Sequence, residues 1–457
     1  MRNLAGGVTR DNPPAQRCRA PQPGKRRFCP RRDDGTRAVT SRLPIPGLVI
    51  SRMRPICRRL CGHPHPSLEL GTPLKKPISF FVHHQGRGHA NRTMALVSEF
   101  AKDRPVSVLT AGPHLFDGFG RDIEIVPLPN MIGAGVPTPR LYAEPTPSVM
   151  HCVPLGVSEM RRTMRTILDH LDDRDTGLFV VDVSCEIGLL ARAASVPSIQ
   201  IRMHGDRGDI GHVGAYEAAV GMLAPFDERM EQDDYPARLR AKTFYSGGLC
   251  TTLDAVPGKA EARAKLGLDP TREIVVVLTG GGGSGTPYAP LTVAARAAPD
   301  ALWLVLGPTH REGHETDFSN CQELGWVRGV TDYLAAADIV IASAGDNTVH
   351  EIARVGRPLV VMPEWRYFGE QTRKAEALVR LGAAVSAPAW PGDLAGWQAL
   401  LERARGLETQ AIASLYDAEA ARKAAGWLEG LCDELWAGAT EADAKTSAAP
   451  ALSVVAG

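Results

Sequence analysis

Asp338-Ile339-Val340-Ile341-Ala342-Ser343-Ala344-Gly345-Asp346-Asn347-Thr348-Val349-His350-Glu351 is the stretch that decides how this chain is read. Ile339 to Ala342 is a short, wholly apolar run, the pattern of a strand buried on both faces of a parallel sheet. Small residues follow, and apolar positions then return at helical spacing. Val349, Ile352 and Ala353 share one face, while Thr348 and Glu351, three apart, share the opposite one. The free N–H groups of Gly345, Asn347 and Thr348 at this helix start can receive a diphosphate. A carboxylate at Glu351 can accept two hydroxyl hydrogen bonds from a ribose diol. The alternative for the same residues is a capping network, with Asp346 or Ser343 as N-cap and Glu351 as a solvated acid.

Working outward, the same alternation recurs. Ile274 to Thr279, Leu302 to Gly307 and Leu359 to Met362 are strand-like runs, separated by helical patterns near 289–298, 347–355 and 369–381. The first of these strands runs into Thr279-Gly280-Gly281-Gly282-Gly283-Ser284-Gly285-Thr286. Glycines there let backbone N–H groups approach an anion closely. The loop lacks the Lys and Ser/Thr ending of a P-loop, so an ATPase is disfavoured. Earlier in the chain, strands at Ile78 to His83, Val106 to Thr110, Leu178 to Val183 and Ser198 to Met203 alternate with helices near 91–102, 158–171 and 186–194. The expected class is therefore α/β, with two facing Rossmann-like domains and a cleft between them. The expected boundaries are 77–245 for the first, 246–272 for a linker and 273–436 for the second, whose closing helices span about 393–435.

The span Asp338 to Gln371 resembles a known family. Its Ala-Asp-Ile-Val-Ile strand, Gly345-x-Asn347-Thr348-x-x-Glu351, Gly356-x-Pro358 and Glu370-Gln371 look like the donor half of GT-B nucleotide-sugar glycosyltransferases. The resemblance is nearest to the bacterial family 28-like group that contains the peptidoglycan lipid-intermediate N-acetylglucosaminyltransferase, and it covers roughly residues 273–385. It implies diphosphate contacts from Gly282, Gly283, Ser284, Ser343, Gly345, Asn347 and Thr348, ribose binding by Glu351, and sugar-hydroxyl binding by Glu370 and Gln371. It also implies nucleobase reading by the backbone around Val327, in Gly325-Trp326-Val327-Arg328. UDP is the nucleotide it favours. Ser343 stands where plant and animal enzymes carry a phosphate-binding His, which favours the bacterial branch.

In the first half, His83-His84-Gln85-Gly86-Arg87-Gly88-His89-Ala90-Asn91-Arg92 follows the first strand and opens a helix, and it is similar to the family's Gly-x-Gly-His segment. A neutral imidazole can take the proton of an attacking acceptor hydroxyl. His89 is the candidate base, with an acceptor-binding or structural role as the alternative. His84, Gly86 and Gly88 form the acceptor-side loop. Asp182, at a strand end, is a candidate to orient a histidine, while His204 and Asp206 follow another strand's C-terminal end and so face the cleft. Asp173-Arg174-Asp175 sits in a charged turn without an apolar shoulder, so no metal ligand set is expected and no cofactor is implied.

With 457 residues, 44% hydrophobic and 23% charged, the chain can fill two ordinary domains. Residues 1–76 hold 17 Lys and Arg against 4 acids and show no sustained apolar period, so this basic extension is expected to be disordered. A frayed tail is expected after Ala437. The nine scattered cysteines read as free thiols. No run of eighteen apolar residues occurs, so the expectation is a cytoplasmic enzyme, at most peripheral at the inner face of a membrane. The expected partners are a nucleotide sugar and an acceptor that is lipid-linked or small, with no nucleic acid. Two rival functions share the architecture: a nucleotide-sugar 2-epimerase, which needs no acceptor, and a non-catalytic nucleotide-sugar-binding subunit.

Overall fold

The computed structural model describes residues 75–131, 135–251, 255–279 and 285–438. Seven parallel strands form the first sheet: β1 (Ile78–Phe81), β2 (Val106–Thr110), β3 (Glu124–Pro127), β4 (Leu178–Val181), β5 (Ser198–Ile201), β6 (Gly221–Ala224) and β7 (Thr243–Tyr245). Their spatial order is β3-β2-β1-β4-β5-β6-β7. Every residue of β1, β2, β4, β5 and β6 is buried, because helices cover both faces; hence the unbroken apolar runs in the sequence.

The second half contains β8 (Ile274–Leu278), β9 (Thr286–Pro287), β10 (Leu302–Leu306), β11 (Thr309–His310), β12 (Cys321–Gly325), β13 (Ile339–Ala342), β14 (Leu359–Val361) and β15 (Val385–Ser386). Six of them form a parallel sheet in the order β12-β10-β8-β13-β14-β15, and β9 pairs with β11 beside it. In each sheet the chain first winds outward from its opening strand and then returns to that strand's other side. Phe81 pairs with both Leu109 and Val181, and Leu278 pairs with both Leu306 and Ala342. The reversal opens a crevice beyond the C-terminal ends of β1 and β4 and another beyond β8 and β13, the places where such sheets receive ligands.

Two segments lie elsewhere than the sequence pattern placed them. The helix Ala420–Leu435 was expected to close the second domain. Instead Ala420, Ala424, Ala425, Leu428 and Cys432 join the core formed by Ile78, Phe80, Leu96 and Val108 of the first. Arg104 pairs with Glu429 and Asp433, and Trp427 stacks on Phe244 with ring centroids 5.0 Å apart. Its apolar stripe matches a groove left uncovered on the first sheet, a fit that helical periodicity alone does not reveal. The helix Lys259–Leu266, inside the expected linker, packs on the helix Val330–Ala336, and Arg263 donates to the Ala336 carbonyl. The helix Leu394–Arg405 does stay with the second domain, where Trp397 meets Trp303 edge-on. The basic extension to residue 74 and the tail from 439 lie outside the described residues.

Candidate active site

On the first domain, the chain leaves β1 and turns at Gly86, whose φ of 82° is left-handed and suits glycine, to begin the helix Arg87–Ser98. This places His89 in the first helical turn, beside the residue that follows β4. That residue is Asp182, 3% exposed, and His89 Nδ1 lies 3.0 Å from its Oδ2. One turn further along the helix, Arg92 Nη2 donates to both carboxylate oxygens of Asp182, at 2.9 and 3.0 Å. Immediately after Asp182, Val183 adopts φ 61°, a conformation that costs a β-branched residue about 1–3 kcal/mol, so the surroundings hold this turn in place.

These contacts favour one neutral tautomer of His89. Burial pushes the Asp182 carboxyl up, but Arg92 and His89 outweigh it and hold it below the usual carboxylate range, so it is an acceptor only. An unprotonated Nδ1 would put two acceptors face to face at 3.0 Å. In the neutral ring Nδ1 then carries the proton and donates to Asp182, which leaves the lone pair on Nε2. Arg92 Nη2 also lies 3.1 Å from Nδ1, a contact that then makes no hydrogen bond. His83 and His84 stack on one another with centroids 5.4 Å apart. Burial, with His89 and His84 close by, lowers His83 to about 4, and its Nδ1 accepts from the Gln85 N–H. His84 is lowered by burial and by neighbouring His114.

On the second domain, β13 runs into Ser343 and the helix Asp346–Val355. The N-cap is Gly345, and no side chain caps the helix, so neither Asp346 nor Ser343 fills the capping role. Its first-turn N–H groups thus retain their attraction for an anion. Asp346 accepts instead from Lys374, which is fully buried, and from Arg92 across the domain junction at 3.3 Å. Asn347 belongs to the same junction: a Cβ on Gly88 would lie 3.7 Å from its Nδ2. Thr348 and Glu351 are half-buried on the helix. Ser343 lines a cavity of about 390 Å³ with Thr279, Thr286, His310, Glu364 and Trp365, at the C-terminal ends of β8, β13 and β14. Val327 is not among its lining residues; it packs half-buried against the core. Gly282, Gly283 and Ser284 lie outside the described residues.

Four sequence candidates occupy other roles. His204 is completely buried, packs with its ring tilted against Phe226 and bonds the Met230 carbonyl at 3.0 Å, so it is a core residue without access to a substrate. Asp206 pairs with Arg373 at 2.6 Å, and Glu370 pairs with Arg207 at 3.0 Å, so both tie the domains together. Gln371 is buried, and its carbonyl oxygen accepts from the N–H groups of Ala344 and Glu364, holding the loops after β13 and β14 in register. Strand-end position and sequence order predicted access to a substrate for these residues; packing buries His204 and Gln371, whereas Glu370 stays half-buried and Asp206 exposed, each engaged by an arginine. Conversely, sequence reasoning assigned no role to Arg92 or Lys374 and considered Asp346 only as an N-cap. The only available signal was that Arg92 lies three residues from His89, on one helix face.

His151, Cys185 and His212 bring one potential ligand atom each within 4.8 Å of the others. Both nitrogens of His212 are already engaged, Nδ1 by Asp209 and Nε2 by Arg207, whose guanidinium takes the cation's side of the ring. Asp173 and Asp175 precede β4 and so sit at the opposite end of that strand from Asp182.

Residues 302–388 match the glycosyltransferase family 28 C-terminal domain. A relative from Saccharopolyspora erythraea is 30% identical over 317 residues, covering 66% of this chain and 78% of its own. It is named UDP-N-acetylglucosamine–N-acetylmuramyl-(pentapeptide) pyrophosphoryl-undecaprenol N-acetylglucosamine transferase. Among solved structures, Acinetobacter baumannii MurG is similar with a TM-score of 0.54 at 15% identity, over 78% of this chain and 99% of that one. The glycotransferase of kitacinnamycin gives 0.53 at 16%, over 79% and 99%. At such identities these two structures speak to the fold.

Proposed function

Because the chain belongs to the family 28 glycosyltransferases, with the two-domain GT-B architecture, we propose that it moves a sugar from a UDP-sugar to an acceptor hydroxyl with inversion, using His89 as the general base. One observation carries this reading: the His89–Asp182 pair faces an uncapped helix start across the domain junction, and the Arg92–Asp346 contact joins the two sides. Nε2 of His89 has the lone pair to take the acceptor proton as the acceptor oxygen bonds to the anomeric carbon. As that bond forms, the bond from the anomeric carbon to the diphosphate breaks, and UDP leaves with the electron pair. The N–H groups of Gly345, Asn347 and Thr348 would stabilise its developing charge without a metal ion. Glu351 would hold the ribose.

UDP-N-acetylglucosamine is the donor to test first, since it is the donor in the relative's name. The acceptor in this reading is a hydroxyl on a lipid-linked or small molecule. No helix among the described residues is long and apolar enough to cross a membrane. In this reading a lipid-borne acceptor is met by peripheral contact at the cytoplasmic side. Thermal unfolding with UDP, dTDP and GDP tests the nucleotide: a ligand at a hundred times its Kd stabilises by about 2.7 kcal/mol. Stabilisation by UDP alone is expected. Stabilisation by dTDP or GDP without UDP would overturn the donor assignment.

A further inference from the structure

We propose that Arg92 is a positioning residue that couples the His89–Asp182 pair to the donor side of the junction, so that the pair responds when the helix start of Asp346 is occupied. The proposal rests on the preceding reading of that helix start as the diphosphate site. Arg92 is 4% exposed and its guanidinium is shared between the domains: Nη2 holds both oxygens of Asp182, while Nη1 reaches Asp346 Oδ2. Asp346 is held from behind by Lys374, so it is a fixed anchor and not a swinging side chain. Asp182, Arg92 and Asp346 alternate in sign through a space nearly closed to solvent, and the Lys374 amine, which burial pushes toward its neutral form, donates to Asp346 behind them. Low solvent access leaves such charges poorly screened, so a shift at one is felt at the next.

The planar fork is what permits the coupling. A guanidinium presents two outer nitrogens in fixed relative orientation, so displacement of Nη1 with Asp346 turns Nη2 at Asp182. Asp182 in turn holds Nδ1 of His89. An anion arriving at Gly345, Asn347 and Thr348 adds negative charge beside Asp346, the first residue of that helix, and so acts on the anchor of the fork. Lysine offers one ammonium in place of two separated nitrogens and cannot hold both carboxylates in this geometry.

The test follows the ring nitrogens of His89 by NMR in the full-length protein labelled with ¹⁵N-histidine, its signal assigned by loss in His89→Gln. UDP is the probe, added to saturation of each variant as judged by calorimetry. In the unmodified protein UDP is expected to shift the His89 signals. In Asp346→Asn, which leaves Arg92 on Asp182, the shift should fall at least severalfold. It should vanish in Arg92→Met and return only in part in Arg92→Lys. Because Asp346→Asn leaves the buried Lys374 without its carboxylate, the double variant Asp346→Asn/Lys374→Met, which removes that pair together, keeps the proposal testable if a single variant does not fold. A His89 response to UDP that is undiminished in folded Asp346→Asn, Arg92→Met or the double variant would overturn the coupling. Failure of UDP to bind the unmodified protein would overturn the donor reading beneath it. Normal turnover by a His89 variant would remove the base assignment while leaving the coupling standing.

Discussion

Arg92 Nη1, on the first helix of the first domain, donates to Asp346 Oδ2, the first helical residue of the second domain's donor-side helix, at 3.3 Å. The two residues are 254 positions apart in the chain. Around them Asp206–Arg373 and Arg207–Glu370 make further ion pairs across the same junction, and the Asp206 N–H donates to the Phe368 carbonyl at 2.6 Å. The junction is thus polar and specific, and its charges are paired because an unpaired buried charge would be strongly unfavourable.

Replacing His89 by Ala should cut turnover by about a hundred- to ten-thousandfold, the usual cost of losing a general base, while UDP affinity changes little. Single-turnover rate and UDP affinity measured on the same folded variant check this. A near-normal rate would pass the base role to His84, the other histidine on the acceptor-side loop that is open to solvent.

Glu351→Ala should weaken UDP binding by roughly ten- to a hundredfold, because a hydrogen bond to a charged group contributes about 1.5–3 kcal/mol. Thermal unfolding of the variant without ligand should stay close to that of the unmodified protein, since the helix keeps its buried face of Val349, Ile352 and Ala353. Calorimetry returning an unchanged dissociation constant would sink the ribose assignment.

Leu428→Ala should destabilise the protein by about 2–5 kcal/mol, the cost of a large-to-small change in a packed core. Leu428 is fully buried against the first domain's sheet, so the C-terminal helix acts as part of that domain. Urea denaturation with an unmoved midpoint would show that the helix contributes nothing there.

Acid should destabilise the fold between about pH 6.5 and 4. Burial is the largest influence on His83, His212 and His350, and it lowers each from an ordinary 6.5 to about 4. Below pH 6.5 the unfolded chain takes up protons at these positions that the folded one refuses, so stability is lost as pH falls through this window. Urea midpoints at pH 7.5 and 5.0 measure the slope; equal midpoints would contradict it.

The sequence by itself determined the local architecture. Apolar runs such as Ile339 to Ala342 can be satisfied only between two helical layers, and Val349, Ile352 and Ala353 can share a face only in a helix, so the α/β class and the helix start near Gly345 were legible. His89 and Asp182 were legible as separate candidates, the first from the glycine loop's similarity to the family's Gly-x-Gly-His segment and the second from its place directly after a strand. Only the tertiary structure decided that they pair, since their contact depends on β1 and β4 being neighbours, with β2 and β3 on the other side. It also decided that His204 is core, that Glu370 and Asp206 hold the domains together, and that the last helix returns to the first sheet. In each case the deciding quantity is what packs against the residue from a distant part of the chain. Periodicity records which face of an element is buried, but not the element that buries it.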